Sequence, residues 1–530
     1  MKLSPSLKSR IIFFLLFAIF SIAYYDSVLD KGPLNVHLWR QTDCLSLTQN
    51  YAEGQSFLEP EMHIQLADNN RSGKTVGEFP IMYYAIGKMW SWFGKSYLVY
   101  RLVNFLILFA GVFAFFEALR KLLKSEFWSV FLALLLFTSP ALAYHGVSFM
   151  TDGPSFSFVL IALYFVVRYF YQESKWSFLI AILFFTLAGL IKVSSLIAFF
   201  VLIGVFVLEL FGVRFLPEKR KIHRGWKLEV IGYLSVFVVH FAWYWYAHYY
   251  YEHHGFKYTF NNIWPIWIMD ADHWVRWADG FKDFTSRIFF SRPMWFVLIG
   301  TSISLFLLRK RVSLFIRFAH FAVVCGCLCY VVLWGPLLEN HDYYLVVLLI
   351  WFVGSLVPFV AYLYTRFKEQ MNHRITHVLA ILFLGFNFMY CAQVMRLKTV
   401  EEDRNKVYAF VGSQLLVQHM SGLNHYDIFR DTYRFERMQP YLEEIGVNRE
   451  DKVLSFPDPS FNITLYMMDR KGWSNFNNYT ETEQIQTLIN EGGEYLIVSD
   501  TNYLNNEFIH PFINNQIGEF EGIRIYDLKE

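Results

Sequence analysis

The sequence lacks four short motifs that would identify common enzyme chemistries. It has no Walker A loop, no Gly-x-Gly-x-x-Gly turn opening a helix after a strand, no His-Glu-x-x-His pair and no Gly-x-Ser-x-Gly elbow. These motifs provide phosphate binding, dinucleotide binding, a catalytic zinc site and an activated serine. Activation of any substrate must therefore come from elsewhere.

The chain also has few cysteines and a small net charge. Three of the five cysteines lie in one apolar run, Cys325-Gly-Cys327-Leu-Cys329. This spacing fits neither a disulfide pair nor a zinc site, so we interpret these residues as small packing residues and predict no disulfide framework. The formal net charge is +2, which gives no indication of a nucleic-acid partner.

Apolar residues are abundant. They make up 55% of the 530 residues, and aromatic residues make up 20%, whereas soluble domains contain about 45–50% apolar residues. The excess lies in runs near the roughly 17–25 residues that cross a bilayer. The sequence therefore predicts a polytopic α-helical membrane protein with about eleven spans. They are residues 11–25, 97–119, 127–144, 155–171, 176–191, 195–211, 228–247, 294–308, 318–333, 344–362 and 376–394.

The distribution of positive charge predicts the orientation. Lys and Arg concentrate in alternate loops, at residues 120–124, 175, 214–227, 309–317 and 366–374. The short loops 145–154 and 334–343 contain none. Because Lys and Arg are enriched on the cytoplasmic side, we expect a cytoplasmic N-terminus, and we expect 26–96 and the C-terminal region outside. No small-residue cleavage site follows the first apolar run, which favours an uncleaved span.

The region 395–530 differs in kind from the rest, because it is polar and rich in turns. Residues 452–456, 495–498 and 522–526 are typical of short buried strands. Residues 401–420 and 481–491 are typical of helices. We predict a transmembrane domain at 1–394, with an outer loop at 26–96, and a small extracytoplasmic α/β domain at 395–530.

Two carboxylates stand out in the outer loop. His37, Arg40 and Asp43 share one face if their segment is helical, and Arg40 would then keep Asp43 ionised as a general base. The alternative is a surface salt bridge. Glu78, in Gly77-Glu78-Phe79-Pro80, is a candidate metal ligand or substrate clamp. Its alternative is a carboxylate that stabilises a helix N-terminus.

Further candidates lie at the ends of predicted spans. Lys192 lies between two apolar runs at or just under the outer surface, where an ionisable residue suits a lipid phosphate, unless it only snorkels. Asp152 either caps the fourth span or faces a cleft. The outer loop residues His341 and Asp342 are candidates to bind a metal or a sugar, and Tyr343 and Tyr344 are candidates for plain interfacial anchors.

Taken together, these features resemble the C-type membrane glycosyltransferases. The likeness is to the dolichyl-phosphate-mannose–protein mannosyltransferase superfamily, which includes bacterial lipid A aminoarabinose transferases. It is carried by the order of the segments, by Trp39 with the later Asp43, by Gly77–Pro80, by Lys192 after Gly-Leu and by the segment 465–473.

The resemblance implies transfer of a hexosyl or pentosyl sugar from a polyprenyl-phosphate donor to a glycan, lipid or protein acceptor outside the membrane. We expect the transfer to invert the anomeric carbon. It implies Asp43 and Glu78 as catalytic residues and Lys192 and Arg40 as phosphate ligands. It also implies that the loop with His341, Asp342, Tyr343 and Tyr344 closes the lipid pocket. It also implies a candidate divalent metal at Glu78 with His253 or His254, and a bacterial inner-membrane location. The alternatives are a flippase or transporter of lipid-linked sugars and a non-catalytic scaffold.

Overall fold

The structure, a computed structural model, describes residues 4–33, 37–67, 71–172, 174–215, 222–223, 226–254, 263–399 and 432–529. The chain forms two compact units. We call the first the helical unit, which comprises Met1–Lys31, Tyr100–Trp243 and Asn261–Val417. We call the second the mixed unit, which comprises Gly32–Val99, Tyr244–Phe260 and Gln418–Glu530.

Helices dominate the described residues before position 400. The α-helices are Pro5–Tyr25, Leu38–Ala52, Ile81–Phe93, Tyr97–Leu123, Glu126–Phe137, Pro140–His145, Asp152–Gln172, Lys175–Ile191, Ile197–Leu210, Trp226–His254, Ala271–Asp283, Arg292–Leu307, Leu314–Trp334, Leu345–Leu348, Ile350–Arg366, Lys368–Met371 and Arg374–Thr399. Shorter 3-10 or π turns are Val193–Leu196, Ile266–Ile268, Phe284–Phe289, Gly335–Glu339 and Asp342–Tyr344.

The expected spans are recovered as apolar helices, but not all are long. Within the described residues, eight helices are long and apolar enough to cross a membrane, or up to nine if the bent pair Ala271–Phe289 and Arg292–Leu307 is one span. Two further expected spans are the shorter apolar helices Glu126–Phe137 and Lys175–Ile191. The polytopic α-helical fold class is thus confirmed, with fewer full-length spans than expected.

One expected span is broken for a clear local reason. The predicted segment 127–144 divides into Glu126–Phe137 and Pro140–His145. Pro140 has no backbone N–H to continue the first helix, and it suits the first turn of the second. Ser139 caps that second helix by accepting a hydrogen bond from the Leu142 N–H at 3.4 Å. The break places His145 at the end of a short helix.

The mixed unit contains a five-stranded sheet. Its strands are β1 Val453–Phe456, β2 Gly472–Ser474, β3 Tyr495–Val498, β4 Gln516–Phe520 and β5 Ile523–Asp527, in the order β2-β1-β3-β5-β4. β1 is parallel to both β2 and β3, whereas β5 is antiparallel to β3 and β4. The helices after position 431 are Tyr433–Arg437, Gln439–Glu444, Ile463–Met468 and Thr482–Asn490, with 3-10 turns Asn475–Asn477, Thr501–Asn505 and Glu507–Phe512.

The predicted strands 452–456, 495–498 and 522–526 are confirmed as β1, β3 and β5, and the predicted helix 481–491 as Thr482–Asn490. β2 and β4 were not predicted. β2 has only three residues, and its Gly472 is fixed by packing, because a Cβ there would lie 1.8 Å from the Val453 carbonyl oxygen. The predicted helix 401–420 lies outside the described residues.

The first outer loop folds onto the edge of this sheet. The Gln65 N–H donates to the Gly472 carbonyl at 2.7 Å, and the Gly472 N–H donates to the His63 carbonyl at 3.1 Å. Ile64 thereby forms a parallel bridge with β2. The segment 32–99 and the C-terminal region are therefore one compact unit, although the domain boundary at 394/395 stays a prediction.

Candidate functional site

The helix Leu38–Ala52 carries the first predicted catalytic residue. It begins after His37, which has a left-handed backbone conformation with φ of 57°. Asp43 lies in its second turn and is 0% exposed. Its Oδ1 accepts a hydrogen bond of 2.7 Å from Asn462 Nδ2. An exposed surface salt bridge, the alternative for this residue, does not fit its complete burial.

Arg40 and Glu78 meet as an ion pair in the same unit. Arg40 Nη2 donates to Glu78 Oε1, and the Tyr83 hydroxyl donates to the same oxygen. Both charged side chains are largely buried, with 15% and 11% exposure. The N-cap of the helix Ile81–Phe93 is Pro80, which makes no side-chain capping hydrogen bond. The Glu78 carboxylate is held by a cation and a phenol.

Cys44 adds information on the electrostatics of this region. Burial raises the pKa of the Cys44 thiol to about 12, the positive charge of Arg40 opposes the shift, and Glu78 and Asp43 add to it. Its sulfur lies 3.3 Å from the Tyr83 hydroxyl. The thiol is therefore protonated at neutral pH and is not a nucleophile. We call Arg40, Asp43, Glu78, Tyr83 and Asn462 the carboxylate cluster.

Lys192 occupies the break between two helices of the helical unit. It ends Lys175–Ile191 with an extended backbone and precedes the 3-10 turn Val193–Leu196. Gly189 maintains this helix end close to its neighbour, because a Cβ there would lie 2.2 Å from His240 Nε2. The Lys192 side chain therefore extends from a well-defined backbone position at the end of an apolar helix.

The ammonium group of Lys192 is engaged by an acid and two aromatic rings. Its Nζ lies 2.6 Å from Asp152 Oδ1, and 5.2 Å and 4.3 Å from the ring centroids of Tyr343 and Tyr344. These distances are those of an ion pair and of cation–π contacts. The side chain of Lys192 is still 18% exposed. Simple snorkelling therefore does not describe this lysine.

Asp342 anchors the turn that supplies these tyrosines. It begins the 3-10 turn Asp342–Tyr344. His145 Nε2 donates to its Oδ1 at 2.8 Å, and the Lys398 ammonium donates to its Oδ2. All three side chains are buried. A carboxylate held from both sides fixes the turn, and we call Asp152, Lys192, Asp342, Tyr343 and Tyr344 the lysine cluster.

His341 lies beside the lysine cluster. Its Nδ1 is 3.2 Å from the Leu337 carbonyl oxygen, and its ring packs edge-on against the rings of Tyr343 and Tyr344. The structure thus brings together Asp152, Lys192 and the predicted tyrosines, with His341 as an aromatic neighbour.

An apolar groove is lined in part by Val193 and Ser194, the two residues that follow Lys192. Its volume is about 370 Å3, and it is lined by Val193, Ser194, Ile197, Phe200, Val201, Ala322, Gly326, Cys329, Tyr330, Leu333 and Trp334. The Tyr330 hydroxyl donates to the Tyr344 carbonyl at 3.2 Å, which connects the groove wall to the aromatic turn.

The predicted metal ligands are not assembled in the part of the chain that is described. Glu78, His253 and His254 do not form a group with ligand atoms within 4.8 Å of one another. Glu78 already accepts from Arg40, and the His253 and His254 rings pack against Tyr249 and Tyr250. His145 and Asp342 belong to a group whose ligand-type atoms lie close enough together to hold a metal ion, and Lys398 also contacts Asp342. As they stand, Glu78, His253 and His254 do not form such a group among the described residues.

Residues 64–255 match the family model of the dolichyl-phosphate-mannose-protein mannosyltransferases. Two solved structures align over nearly the whole chain. The apo form of ArnT from Cupriavidus metallidurans covers 99% of this chain and 98% of its own, with 11% identity and a TM-score of 0.62. The form bound to undecaprenyl phosphate covers 97% of each chain, with 12% identity and a TM-score of 0.58.

A third solved structure is more distant. The archaeal oligosaccharyltransferase AglB from Archaeoglobus fulgidus, in complex with an inhibitory peptide and a dolichol-phosphate, covers 92% of this chain and 69% of its own, with 10% identity and a TM-score of 0.50. No curated protein sequence matches the chain. At these identities the structures establish the fold. The resemblance to C-type membrane glycosyltransferases is confirmed, and the chain is an integral membrane protein.

Sequence reasoning did not single out four residues that hold these clusters: Tyr83, His145, Asn462 and Lys398. His145 and Lys398 lie at helix ends and Asn462 lies in the loop after β1, so nothing in the local pattern pairs them with distant acids. The sequence offered one usable signal for these residues, which is a charge at the end of an apolar run, as at Lys398.

Proposed function

We propose that this protein transfers a sugar from a polyprenyl-phosphate donor to an acceptor at the outer face of the membrane. The observation that supports it best is the apolar groove of about 370 Å3 lined by Val193 and Ser194, the two residues that follow Lys192 in the chain. A prenyl chain fits the groove by its chemistry, and its phosphate fits the cation. ArnT, a structural relative, has been solved with undecaprenyl phosphate.

The leaving group in such a reaction is a phosphate, so the protein needs to stabilise negative charge rather than create a good leaving group. Lys192 supplies that charge, and Tyr343 and Tyr344 limit its movement. Fixed charges of this type stabilise a transition state without reorganisation when the reaction occurs. We assign Arg40 to the same electrostatic role, with Glu78 fixing its guanidinium group.

The acceptor hydroxyl needs a base as it attacks the sugar. We assign this role to Asp43, with Glu78 as the second candidate, because Glu78 is already bonded to Arg40 and Tyr83. A single displacement assisted by one base inverts the anomeric carbon. A product with the same anomeric configuration as its donor would exclude this mechanism.

Several finer assignments belong to the same proposal. We expect a hexosyl or pentosyl donor, a glycan, lipid or protein acceptor, and a bacterial inner membrane with the N-terminus in the cytoplasm and residues 395–530 outside. The positive charges of alternate loops support this orientation. A divalent metal ion at Glu78 with His253 or His254 would need rearrangement of these side chains, so no step is assigned to it.

The experiment uses the purified full chain in detergent with a panel of radiolabelled polyprenyl-phosphate sugars. We expect one donor to release or transfer its sugar, with loss of this activity in Asp43→Asn and retention in Lys88→Gln, a lysine on the helix Ile81–Phe93 that lies over the Tyr84 ring. The anomeric configuration of the product is then determined by NMR.

Two outcomes would contradict the proposal. In proteoliposomes, movement of the lipid-linked sugar across the bilayer without glycosidic bond cleavage would indicate a flippase. Failure of every donor to bind would remove the assignment of Lys192 and its groove, and would favour the scaffold alternative.

A further inference from the structure

The candidate base is contacted by a residue from the far end of the chain. Asn462 lies in the loop between β1 and β2, and its Nδ2 donates to Asp43 Oδ1 at 2.7 Å. Both side chains are completely buried. A carboxylate can only accept hydrogen bonds, so the amide nitrogen rather than the amide oxygen must face it. A buried hydrogen bond of this kind favours the ionised carboxylate.

Asn462 would ordinarily have a local role. It is the N-cap of the helix Ile463–Met468, and asparagine at an N-cap normally accepts a hydrogen bond from the first turn. Its side chain makes no such bond here. Its orientation is therefore not explained by the helix that it begins.

Two neighbouring residues cap that helix instead. The Ile463 N–H donates to Ser460 Oγ at 3.0 Å, and the Thr464 N–H donates to Asp458 Oδ2 at 3.0 Å. Because these groups satisfy the helix N-terminus, the amide of Asn462 is available for Asp43.

The loop that carries Asn462 is fixed from several directions. Asp458 Oδ1 accepts from the Ser460 N–H at 2.8 Å, and the Thr464 hydroxyl donates to Asp458 Oδ2 at 2.6 Å. Ser474, in β2, donates to the Ser460 carbonyl at 2.7 Å. Burial raises the pKa of Asp458, and the hydrogen bonds from Ser460 and Thr464 oppose that shift. The sheet thus determines where Asn462 lies.

We propose that Asn462 is a positioning residue for the general base. It holds Asp43 Oδ1 and so fixes the orientation of the carboxylate, and a hydrogen bond of this kind favours the charged form of the base. The C-terminal sheet, through the loop after β1, thereby contributes to the chemical step as well as to any selection of the acceptor. This inference rests on the proposed function, in which Asp43 is the base.

The test measures kcat, donor KM and the pH dependence of kcat for the full-length protein. Asn462→Ala removes a hydrogen bond to a charged group, a loss of about 10- to 100-fold in kcat. Because the donor phosphate is assigned to Lys192, donor KM should change by no more than about twofold. The matched control is Asn477→Ala, since Asn477 is exposed and donates only to the nearby Tyr479 hydroxyl among described contacts.

Asn462→Asp separates positioning from a structural effect. It places a second carboxylate beside Asp43, and like charges raise the apparent pKa of such a pair. The acidic limb of the kcat profile should therefore move to higher pH, whereas a merely structural residue would leave its midpoint unchanged. The elution profile and thermal midpoint of each variant identify those that fail to fold.

The outcomes distinguish this inference from the proposed function. If Asp43→Asn abolishes transfer while Asn462→Ala and Asn462→Asp retain the kcat and pH profile of the parent, Asn462 is not a positioning residue and the proposed function stands. If Asp43→Asn retains full transfer, the base is assigned wrongly and the inference loses its premise.

Discussion

The two clusters restrain their charges in different ways. In the lysine cluster, Lys192 lies against the opposite charge of Asp152 and two aromatic faces. In the carboxylate cluster, Asp43 accepts from a neutral amide. An ammonium group in an apolar helix break needs a counter-charge to offset desolvation, whereas a buried base must remain able to take a proton. The comparison is consistent with the binding role proposed for the first cluster and the proton-transfer role proposed for the second.

The largest expected effect separates these roles. Asp43→Asn keeps the size of the side chain and one oxygen that can accept from Asn462, but it replaces the base with an amide, and general bases contribute about 100- to 10,000-fold. We expect kcat to fall within that range while the affinity for the donor is retained. Stopped-time transfer assays and equilibrium donor binding measure the two quantities. Loss of donor binding in this variant would remove the distinction between the clusters.

A second expected effect concerns the stability of the helical unit. Lys398→Met leaves the buried carboxylate of Asp342 without its cation, which costs about 3–5 kcal/mol when one partner of a buried pair is removed. We expect a lower thermal midpoint in detergent. The double variant Lys398→Met with Asp342→Asn should recover much of the loss, because it leaves no uncompensated charge. A midpoint equal to the parent's would show that Lys398 is not paired in the folded protein.

Lys192→Gln should affect the donor rather than the base. Removal of one preorganised electrostatic contact costs about 100- to 1,000-fold. We expect the loss in donor binding and in kcat/KM, with the acidic limb of the pH profile unchanged. Lys192→Arg serves as the matched control, since it preserves the charge. An altered pH limb with normal donor affinity would reverse the roles assigned to the clusters.

The mixed unit should also show a pH dependence of stability. Burial raises the pKa of Asp469, but hydrogen bonds from His63 and Arg449 outweigh that effect and hold the pKa well below its usual range. This stabilisation is complete above the unfolded pKa of about 3.9 and is lost as pH falls towards the folded value. Burial lowers the pKa of His63, so stability also begins to fall below the unfolded pKa of about 6.5.

Thermal unfolding between pH 8 and pH 3 measures this effect, which should be the smallest of the four. His63→Gln should remove the loss that begins near pH 6.5 and retain the loss at lower pH. The matched control is His510→Gln, a histidine of the same unit on the surface. An unchanged profile in His63→Gln would assign the pH dependence to other groups.

Sequence reasoning was most successful where the signal is local. The apolar runs predicted the membrane helices, and three short hydrophobic segments predicted β1, β3 and β5. It was least successful where a side chain is held by a residue hundreds of positions away. Asp43 and Asn462 are 419 residues apart, and Asp342 and His145 are 197 residues apart. Local periodicity contains no information about such pairs.

The candidate site divides in the same manner. Asp43, Glu78 and Lys192 were identifiable because a charge stands in an unusual local setting. Their partners were not, and Arg40 illustrates the limit. Helical spacing suggested that it would hold Asp43, but nothing local pointed to its ion pair with Glu78, which is 38 residues away.

The sequence by itself determined which segments lie in the membrane and which lie in water. The free energies of transferring apolar residues out of water are roughly additive, so they can be summed along the sequence. It also determined which charges are costly in their surroundings. Only the tertiary structure decided that residues 32–99 fold with the C-terminal sheet, and which partner each buried charge receives. Those outcomes depend on hydrogen bonds between distant segments, and such bonds need a particular distance and direction that exist only after the chain has folded.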